Sequence, residues 1–361
     1  MARKLKKEDT PTETGSIGDQ LKRVSRVGRE IVTFEPNEGN WETVVSTGST
    51  LLDLAISGTR QQGGGLPGGI LMEVFGPSGA GKTVILCEIA GAIQRQGGKL
   101  HFHDPEARLN PEFAKKFDLD VSQIKYHQPQ TIKEVMDDIS DFDPQDPKII
   151  HGVMADSLAA LSTEGELEDG EDKFMGMSRA KHLSNGYRRV CRKIAQRNII
   201  VVVSNQVREN VNKANPYSPK HVVTGGMATK FYCSAQLKYD TPTPIKKKIN
   251  INGKERERVV GVEVVIKVDK NSLDRPYRTA SLFILFDYGI DNVRGNLVYL
   301  KDRYSSKSYM LGDLDLGRSL DEAVSKVEAQ GLEQQLKDEV ILVWEEEEAV
   351  FYPERKKKVR V

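Results

Sequence analysis

The sequence predicts an α/β fold built around a mostly parallel central sheet. Four short strand-like runs, most of them apolar and rich in β-branched residues, alternate with helical segments, namely ILMEVF at 70–75, KLHFHD at 99–104, IIHGVMAD at 149–156 and NIIVVVSN at 198–205. Continuous apolar runs of this kind are typical of parallel strands that are buried on both faces. The first run leads through a glycine-rich turn into an apolar helix at 82–96, which completes a strand–turn–helix unit.

The segments on either side of these strands carry their own signals. Ser49 or Thr50 is placed to cap an apolar helix that ends at Gly58. The segment 236–268 surrounds the dipeptide Asn252-Gly253, which favours a tight hairpin turn, so we expect an antiparallel hairpin at the sheet edge.

Changes in composition divide the chain into three regions. Residues 1–43 begin as a polar, charged arm, residues 44–290 hold the alternating strands and helices, and residues 291–361 form a small C-terminal α+β module. Within that module, 319–337 has helical spacing, and the chain ends in the basic tail 354–361.

Composition excludes several classes of protein. The 361 residues include 53 basic and 52 acidic side chains, which rules out a uniformly basic DNA-coating protein but allows a local basic groove. No window approaches 18 apolar residues, and the N-terminus lacks the apolar stretch of a signal peptide. Cys87, Cys191 and Cys233 are few, odd in number and far apart, which excludes a disulfide scaffold and favours a cytoplasmic protein.

A phosphate-binding motif follows the first strand. The residues are Gly76, Pro77, Ser78, Gly79, Ala80, Gly81, Lys82 and Thr83, which match the pattern G-x-x-x-x-G-K-T. Glycines allow backbone N–H groups to surround phosphates without a Cβ clash. We expect Lys82 to reach the β- and γ-phosphate oxygens of ATP and Thr83 to bind Mg²⁺.

Two carboxylates stand at or just after the ends of predicted strands. Asp156 follows an apolar strand, where it would lie beside the phosphate loop and hold Mg²⁺ through water. Glu106 follows another strand closely and could activate an attacking water, although its spacing alone slightly favours a surface loop carboxylate.

Several segments together resemble the RecA family of recombinases, which includes bacterial RecA and phage UvsX-like members. The resemblance covers about residues 44–300 in the same order, whereas both ends match poorly. It is carried by the segments 44–58, 64–69, 73–83, 103–124, 155–161, 204–210 and 224–237. It implies a RecA-like ATPase core, with the N-terminal residues 1–43 docking onto a neighbouring subunit.

The resemblance assigns roles to residues around the nucleotide. It implies that Glu106 activates water and that Gln206 senses the γ-phosphate and passes the signal to a DNA loop. Phe113 falls where an aromatic ring stacks on adenine, and Asn110 falls where a polar side chain contacts the base edge. Lys270 corresponds to a lysine that reaches the ATP of the neighbouring subunit. Asp156 corresponds to the Walker B aspartate, and Val84 directly follows the motif where a hydroxyl is common.

The resemblance also implies a DNA-binding surface. It places the first DNA loop at about 164–177 and the second at about 207–224, with the basic segment 178–197 facing the DNA path. A basic helix face is also compatible with solvation, or with pairing to the acidic run 164–172. The implied DNA-binding residues are Met175, Arg179, Lys181, Ser184, Arg188, Arg208, Thr224, Gly225 and Gly226.

The sequence departs from the family pattern at four places. Ser272 stands where a second lysine reaches the neighbouring ATP, and Arg275 could substitute for it. The first DNA loop is unusually acidic, Val84 replaces a common hydroxyl, and the tail 354–361 is basic where bacterial RecA is acidic. A basic tail would attract DNA rather than restrain access to it.

The resemblance implies an ATP- and Mg²⁺-dependent recombinase. Its expected partners are single-stranded DNA, homologous duplex DNA, other copies of itself in a helical filament, and a single-strand-binding protein or loader, with no membrane. One alternative is a RecA-like accessory ATPase that does not exchange strands. Another is a hexameric motor of the replicative-helicase type, although the N-terminal arm is short for a collar. A small-molecule kinase is disfavoured because no arginine-rich lid is evident.

Two further groups of residues have competing interpretations. His101 and His103 alternate along one predicted strand and face the same side, but no third metal ligand is evident, so we expect them to pack in the sheet. The lysines and arginines around Asn252-Gly253 are equally compatible with a duplex-DNA contact and with an exposed, mixed-charge hairpin.

Overall fold

The computed structural model describes residues 39–58, 60–169, 175–209, 221–223 and 227–353. Among these residues, the strands are β1 (Asn40–Val45), β2 (Leu66–Gly68), β3 (Ile70–Gly76), β4 (Leu100–His103), β5 (Lys125–His127), β6 (His151–Ala155), β7 (Ile199–Glu209), β8 (His221–Val223), β9 (Ala235–Tyr239), β10 (Thr243–Ile251), β11 (Lys254–Asn271), β12 (Thr279–Leu285), β13 (Gly289–Ile290), β14 (Tyr309–Leu311) and β15 (Leu314–Gly317).

The helices connect these strands or follow them. They are α1 (Thr50–Ser57), α2 (Lys82–Arg95), α3 (Pro111–Ala114), α4 (Ile132–Asp141), α5 (Glu164–Asp169), α6 (Met175–Gln196), α7 (Met227–Tyr232), α8 (Asn292–Arg303), α9 (Leu320–Gln330) and α10 (Glu333–Phe351). Short 3₁₀ turns occur at 115–117, 121–123 and 158–160.

One large sheet organises the described residues. Its strand order is β13-β12-β11-β9-β3-β7-β6-β4-β5, with β10 paired to β11 and β8 paired to β7. The strands from β9 to β5 are parallel, and the remaining pairings are antiparallel. The predicted α/β class with a mostly parallel central sheet is confirmed.

The central strands are buried on both faces, as their continuous apolar sequences predict. Ile200 and Val202 of β7 join a hydrophobic cluster on one face, whereas Val201 and Val203 join a second cluster on the other. Helices α1, α2 and α8 to α10 contribute to the first cluster, and α4 and α6 contribute to the second. Burial on both faces explains why these strands lack the alternating pattern of a half-exposed sheet.

The hairpin expectation is only partly correct. Asn252 and Gly253 both have positive φ values, 52° and 75°, and connect β10 to β11 in the predicted tight turn. Residues 236–239, in contrast, belong to β9, which pairs in parallel with β3 inside the sheet. Sequence periodicity could not reveal this difference because it reports burial and not which strand is the partner.

Helix α1 and the C-terminal helices pack against the core. Ser49 caps α1 by accepting a hydrogen bond from the Leu52 N–H, and Gly58 ends the helix, as predicted. In the C-terminal region, the predicted helical segment forms α9 and α10, separated at Gly331. Trp344 of α10 is buried in the same cluster as the central strands.

Several sequence-based expectations concern residues outside the described regions of the chain. These are the arm at residues 1–38 and the basic tail 354–361, together with most of the second DNA loop. None of the helices among the described residues is both long and apolar enough to cross a membrane.

Candidate nucleotide-binding site

The phosphate-binding motif forms the turn between β3 and α2. Gly79 has a φ of +74° and open space at its Cβ position, so the backbone conformation itself favours glycine there. A Cβ on Gly76 would lie only 2.7 Å from the Tyr239 carbonyl oxygen, so this position requires close backbone approach. The turn therefore leaves its N–H groups accessible at the start of α2, where an anion is stabilised.

Two side chains at the start of α2 point back into this turn. The Lys82 Nζ donates hydrogen bonds to the carbonyl oxygens of Gly76 and Pro77, at 3.1 and 2.8 Å. Burial lowers the pKa of the Lys82 ammonium, and the nearby carboxylates of Asp156 and Glu106 oppose that shift. A phosphate group would replace the two carbonyls as a better partner for this buried cation.

Asp156 lies at the end of β6, directly beside Thr83. The Thr83 hydroxyl donates a 2.5 Å hydrogen bond to Asp156 Oδ2, and the Ser204 hydroxyl donates to the other carboxylate oxygen. A hydroxyl and a carboxylate in contact at the edge of a phosphate loop are the oxygen ligands that Mg²⁺ prefers, directly or through water. The structure thus brings both predicted magnesium residues together.

These groups open onto a single cleft with a volume of about 240 Å³. The cleft unites residues from four regions of the chain that the sequence analysis selected separately. Its lining residues are Ser78, Gly79, Gly81, Lys82, Thr83, Val84, Glu106, Arg108, Asp156, Ser157 and Gln206. Ala80 is buried beneath the turn.

Glu106 reaches the cleft because the loop after β4 is fixed at its base. Asp104 is buried, and its Oδ2 atom accepts hydrogen bonds from the Arg108 and Leu109 N–H groups, both at 2.7 Å, and from the Tyr126 hydroxyl at 3.0 Å. Arg108 in turn contacts Glu106, with 2.7 Å between Nε and Oε2. The carboxylate of Glu106 is thereby held at the cleft, only 20% exposed.

Gln206 lies opposite, on β7, and is linked to a buried polar network. Its N–H donates to Asn205 Oδ1 at 3.0 Å, and the Asn205 amide donates to Glu73 at 3.1 Å. The Gln236 amide donates to the second oxygen of Glu73. Burial raises the pKa of Glu73, while its two amide donors lower it. The network joins β3, β7 and β9 just below the phosphate loop.

Residues 21–291 match the sequence model of the RecA N-terminal domain, which is most of the chain. The chain belongs to the RecA family. Members of this family are recombination ATPases that bind DNA and self-associate, and they generally use ATP and Mg²⁺. Among solved structures, the crystal structure of the RadB recombinase is similar at 20% sequence identity, covering 68% of this chain and 98% of the other, with a TM-score of 0.48.

The cleft fits the nucleotide and metal that the RecA family uses. Backbone N–H groups at the start of α2 and the Lys82 ammonium suit phosphates, and Thr83 with Asp156 offers hard oxygen ligands. Glu106, from the loop after β4, and Gln206, from β7, both line this cleft.

The predicted adenine-contacting residues lie on α3, beyond the described cleft. Asn110 caps this helix, with its Oδ1 accepting a hydrogen bond from the Phe113 N–H at 2.8 Å. The Phe113 ring is half-buried and contacts Phe117 edge-on, with 5.0 Å between ring centroids. Neither residue is among those that line the phosphate cleft.

Lys270 also lies away from the cleft. Its Nζ donates to the carbonyl oxygens of Lys230, Phe231 and Cys233 at 2.7, 3.0 and 2.7 Å, at the C-terminal end of α7. A cation at this end of a helix is favourable because it meets unpaired carbonyl groups. Within this chain, the described contacts of Lys270 therefore fix α7.

Arg275, which could substitute for the lysine absent at Ser272, is also engaged. Its guanidinium contacts Glu348 at 3.1 Å and lies over the Tyr352 ring at 3.6 Å from the centroid. Both partners belong to the C-terminal end of the described chain. Arg275 is nevertheless about half-exposed.

The basic residues of α6 divide between two faces of the helix. Arg189, Lys193 and Arg197 face α4 and its C-terminal end, where they contact Asp137, Ser140 and Phe142. Among the described residues, the contacts of this face run to α4; residues 170–172 of the acidic run, the other partner that the sequence suggests, are not described.

The second face of α6 carries the residues that the resemblance selects for DNA. Lys181 and Arg188 are exposed, and Arg188 with Ser184 hydrogen-bonds the Tyr232 hydroxyl, which lowers the pKa of that tyrosine. Arg179 is instead directed inward, with its guanidinium donating to the carbonyl oxygens of Ala159 and Leu161.

The remaining predicted DNA contacts lie outside what the structure describes. Thr224, Gly225 and Gly226 are among the undescribed residues, and the side chains of Met175 and Arg208 are not described either. The backbone of Arg208 pairs with Val222 where β7 meets β8.

Sequence reasoning missed four residues that shape the cleft. Asp104 and Arg108 flank Glu106. Ser204 donates a hydrogen bond to Asp156, and Glu73 on β3 accepts one from Asn205 on β7. A polar residue inside an apolar strand run was a usable signal for Glu73 and Ser204, because buried polar groups require partners. No comparable signal marks Arg108, whose role depends on how its loop folds.

Proposed function

We propose that this RecA-family protein is an ATP-dependent recombinase that assembles as a helical filament on single-stranded DNA and promotes pairing and strand exchange with homologous duplex. The observation that carries the proposal is the cleft shared by Lys82, Glu106, Asp156 and Gln206. Gln206 contributes to that cleft from β7, whose last three residues, 207–209, begin the segment expected to form the second DNA loop.

In this proposal, each group of residues in the cleft has a separate role in ATP hydrolysis. Lys82 and the loop N–H groups bind phosphate oxygens, while Thr83 and Asp156 hold Mg²⁺, which offsets negative charge on the phosphates. Glu106 orients a water molecule and accepts its proton, a role worth about 10²–10⁴ in rate. Arg108 and Asp104 keep Glu106 in position for this step.

Gln206 supplies the coupling between nucleotide and DNA. Its side chain lines the phosphate cleft, and its backbone is fixed by Asn205 and, through it, by Glu73. A contact between Gln206 and the γ-phosphate would favour one arrangement of the segment that follows β7. ATP binding then favours the state that holds DNA, and hydrolysis releases it.

The exposed face of α6 supplies some of the DNA-binding surface. Lys181 and Arg188 would contact phosphates, since neither is committed to α4. The undescribed segments 210–220 and 224–226 complete the surface in this proposal, and residues 1–43 dock onto the adjoining subunit. Residues 44–290 are proposed as the ATPase core, and residues 291–361 are proposed as a C-terminal domain.

The proposal is tested by ATP hydrolysis measured with and without single-stranded DNA, using Glu106→Gln and the matched control Glu112→Gln. Glu112 is an exposed carboxylate on α3 that pairs with Lys115. Single-stranded DNA should strongly stimulate the natural chain and Glu112→Gln. Glu106→Gln should lose about 10²–10⁴ in rate while still binding DNA with ATP. Hydrolysis indifferent to DNA, or a fully active Glu106→Gln, would contradict the proposal.

A second candidate is a DNA-dependent accessory ATPase without strand exchange. It is favoured by the contacts of the two residues expected to reach a neighbouring ATP, because Lys270 is bonded to α7 and Arg275 to Glu348. A strand-exchange assay on the same preparation separates the two functions. DNA-stimulated hydrolysis without any joint-molecule formation would select the accessory ATPase.

A further inference from the structure

A cluster of imidazoles and one carboxylate lies at the far edge of the sheet from the antiparallel strands. Asp138 Oδ2 is 2.6 Å from His101 Nδ1 and 2.9 Å from His103 Nε2, and Asp138 Oδ1 is 3.5 Å from His127 Nε2. His101 and His103 do share one face of β4, as expected. The third and fourth members, His127 and Asp138, come from β5 and α4, which follow β4 later in the chain.

The fold places these four residues together for clear reasons. β4 and β5 pair in parallel with His103 opposite His127, so two imidazoles stack with 4.9 Å between ring centroids. Helix α4 is capped by Thr131 and buries Val135 and Ile139, which directs Asp138 over the same strands. The spacing is thus fixed by backbone pairing and core packing rather than by flexible side chains.

Three members of the cluster lie close enough together to share one metal ion. One donor atom each from His101, His127 and Asp138 lies within 4.8 Å of the other two. Bound to a tetrahedral ion at about 2.0–2.2 Å, such donors would lie a little over 3 Å apart. Only small side-chain movements are needed to bring these donors to that spacing.

One ring nitrogen of this group makes no hydrogen bond within the described part of the chain. His127 Nε2 is shielded from solvent and makes no hydrogen bond among the described residues, although it faces Asp138. Buried polar atoms normally have a partner, and an unused imidazole nitrogen is a ready metal ligand. His103, which is 1% exposed, remains bonded to Asp138 and would orient that carboxylate as a ligand.

We propose that His101, His127 and Asp138 form a binding site for a divalent transition-metal ion of the Zn²⁺ class, with His103 as the positioning residue. Two imidazoles and one carboxylate select such an ion over Mg²⁺ and Ca²⁺, which prefer oxygen donors. The partial exposure of His127 leaves room for water as the fourth ligand. The ion would join β4, β5 and α4 just before the loop that carries Glu106.

Lys125 provides an internal check on the proposal. Its Nζ lies 3.2 Å from Asp138 Oδ1, and the side chain is 59% exposed, so it can withdraw into solvent when the ion binds. Because an ammonium beside the site repels a cation, Lys125→Met should bind Zn²⁺ more tightly than the natural chain. A variant that strengthens binding cannot be explained by loss of folding.

The test uses the full chain, stripped of metal with a chelator and free of nucleotide. Zn²⁺ binding is measured by calorimetry, and Co²⁺ is used as a probe because its visible absorption reports tetrahedral coordination. We expect one Zn²⁺ per chain, a Co²⁺ spectrum with nitrogen ligands, and an increase in melting temperature on binding. His127→Ala should weaken binding by more than tenfold, and His103→Gln by about 10–100-fold.

His182→Ala is the matched control, because it removes a histidine on α6 that is not a member of the cluster. It should bind Zn²⁺ as the natural chain does. Equal Zn²⁺ affinity in the natural chain and His127→Ala would overturn the proposal, as would no binding by the natural chain in the presence of millimolar Mg²⁺. These measurements do not depend on ATP hydrolysis or DNA binding. The metal site can therefore be confirmed or refuted independently of the proposed function.

Discussion

At the scale of single residues, Asp156 depends on two hydroxyl groups. Thr83 and Ser204 each donate to one of its carboxylate oxygens, so the carboxylate is oriented before any ligand arrives. Thr83 belongs to the phosphate-binding motif, whereas Ser204 was not selected from the sequence. Ser204 lies on β7, two residues before Gln206. It therefore links Asp156, the expected Mg²⁺ ligand, to the strand that carries Gln206.

We predict that Ser204→Ala raises the Mg²⁺ concentration needed for half-maximal ATP hydrolysis by about tenfold, because residues that orient metal ligands typically contribute 10–100-fold to affinity. The rate at saturating Mg²⁺ should change much less. Ser325→Ala, at an exposed position on α9, is the control. An unchanged Mg²⁺ requirement in Ser204→Ala would show that Thr83 alone orients Asp156.

Glu88 offers a residue-scale prediction about pH. Burial raises the pKa of Glu88 to about 7, and the hydrogen bond from the Ile290 N–H only partly offsets this. The folded chain therefore binds a proton here more tightly than the unfolded chain. Stability consequently falls as the pH rises from the ordinary glutamate pKa of 4.5 through the folded-state pKa of about 7. Glu88→Gln should melt about 2–4 °C higher at pH 8 and nearly unchanged at pH 4. An equal shift at both pH values would assign the effect to packing.

At the scale of elements, the basic residues of α6 fall into two groups. One group attaches the helix to α4, and the other is expected to bind DNA. Arg189, Lys193 and Arg197 recur every four residues and attach the helix to α4, whereas Lys181 and Arg188 lie on another face. The sequence shows only an unbroken basic segment. The helix periodicity of 3.6 residues then assigns its members to different neighbours.

We predict that replacing two adjacent arginines has different consequences, one for DNA binding and the other for stability. Arg188→Ala should weaken single-stranded DNA binding and reduce the salt dependence, the slope of log K against log salt, by about 0.7, as expected for one lost phosphate contact. Arg189→Ala should leave that slope unchanged and instead lower the melting temperature, since it removes the ion pair with Asp137. Identical slopes for both variants would remove Arg188 from the DNA surface.

A structural feature can be predicted from this sequence when it is determined by residues close to one another in the chain. The four parallel strands, the phosphate loop and the cap at Ser49 follow from patterns within a few residues, and all are present in the structure. The partner of β9 is not local, because residues 236–239 have the same pattern in a hairpin or beside β3. The contact of Asp138 with His101 depends likewise on how α4 packs.

At the scale of the whole molecule, the C-terminal helices belong to the hydrophobic core. Leu336, Val340 and Trp344 of α10 are buried in the cluster that also contains the central strands. The Arg278 guanidinium lies 5.0 Å from the centre of the Trp344 ring and also contacts Glu348. The helix therefore covers apolar surface that would otherwise meet water.

Truncation after Gly331 should consequently abolish cooperative folding or greatly lower the melting temperature, because several large apolar side chains leave the core together. Truncation after Pro353 retains α10 and should melt like the full chain. Calorimetry of the two proteins checks this. Cooperative melting at the full-length temperature after the first truncation would show that α10 is dispensable.

The shorter truncation carries a separate prediction. Removing 354–361 deletes five lysines and arginines, so duplex-DNA binding should weaken at low salt and converge with that of the full chain as salt screens the charge. Filter-binding or anisotropy measurements across a salt series would reveal this. Unchanged affinity at low salt would exclude the tail from DNA attraction.

The position of β3 has a consequence for how the protein is made. This strand carries the phosphate loop, yet its two hydrogen-bonded neighbours, β7 and β9, lie much later in the chain. Pairing between distant segments slows folding because long loops must close first. During synthesis the sheet around the nucleotide site therefore remains incomplete until β9 has left the ribosome. Until then, the apolar strands already made are open to aggregation and to chaperones.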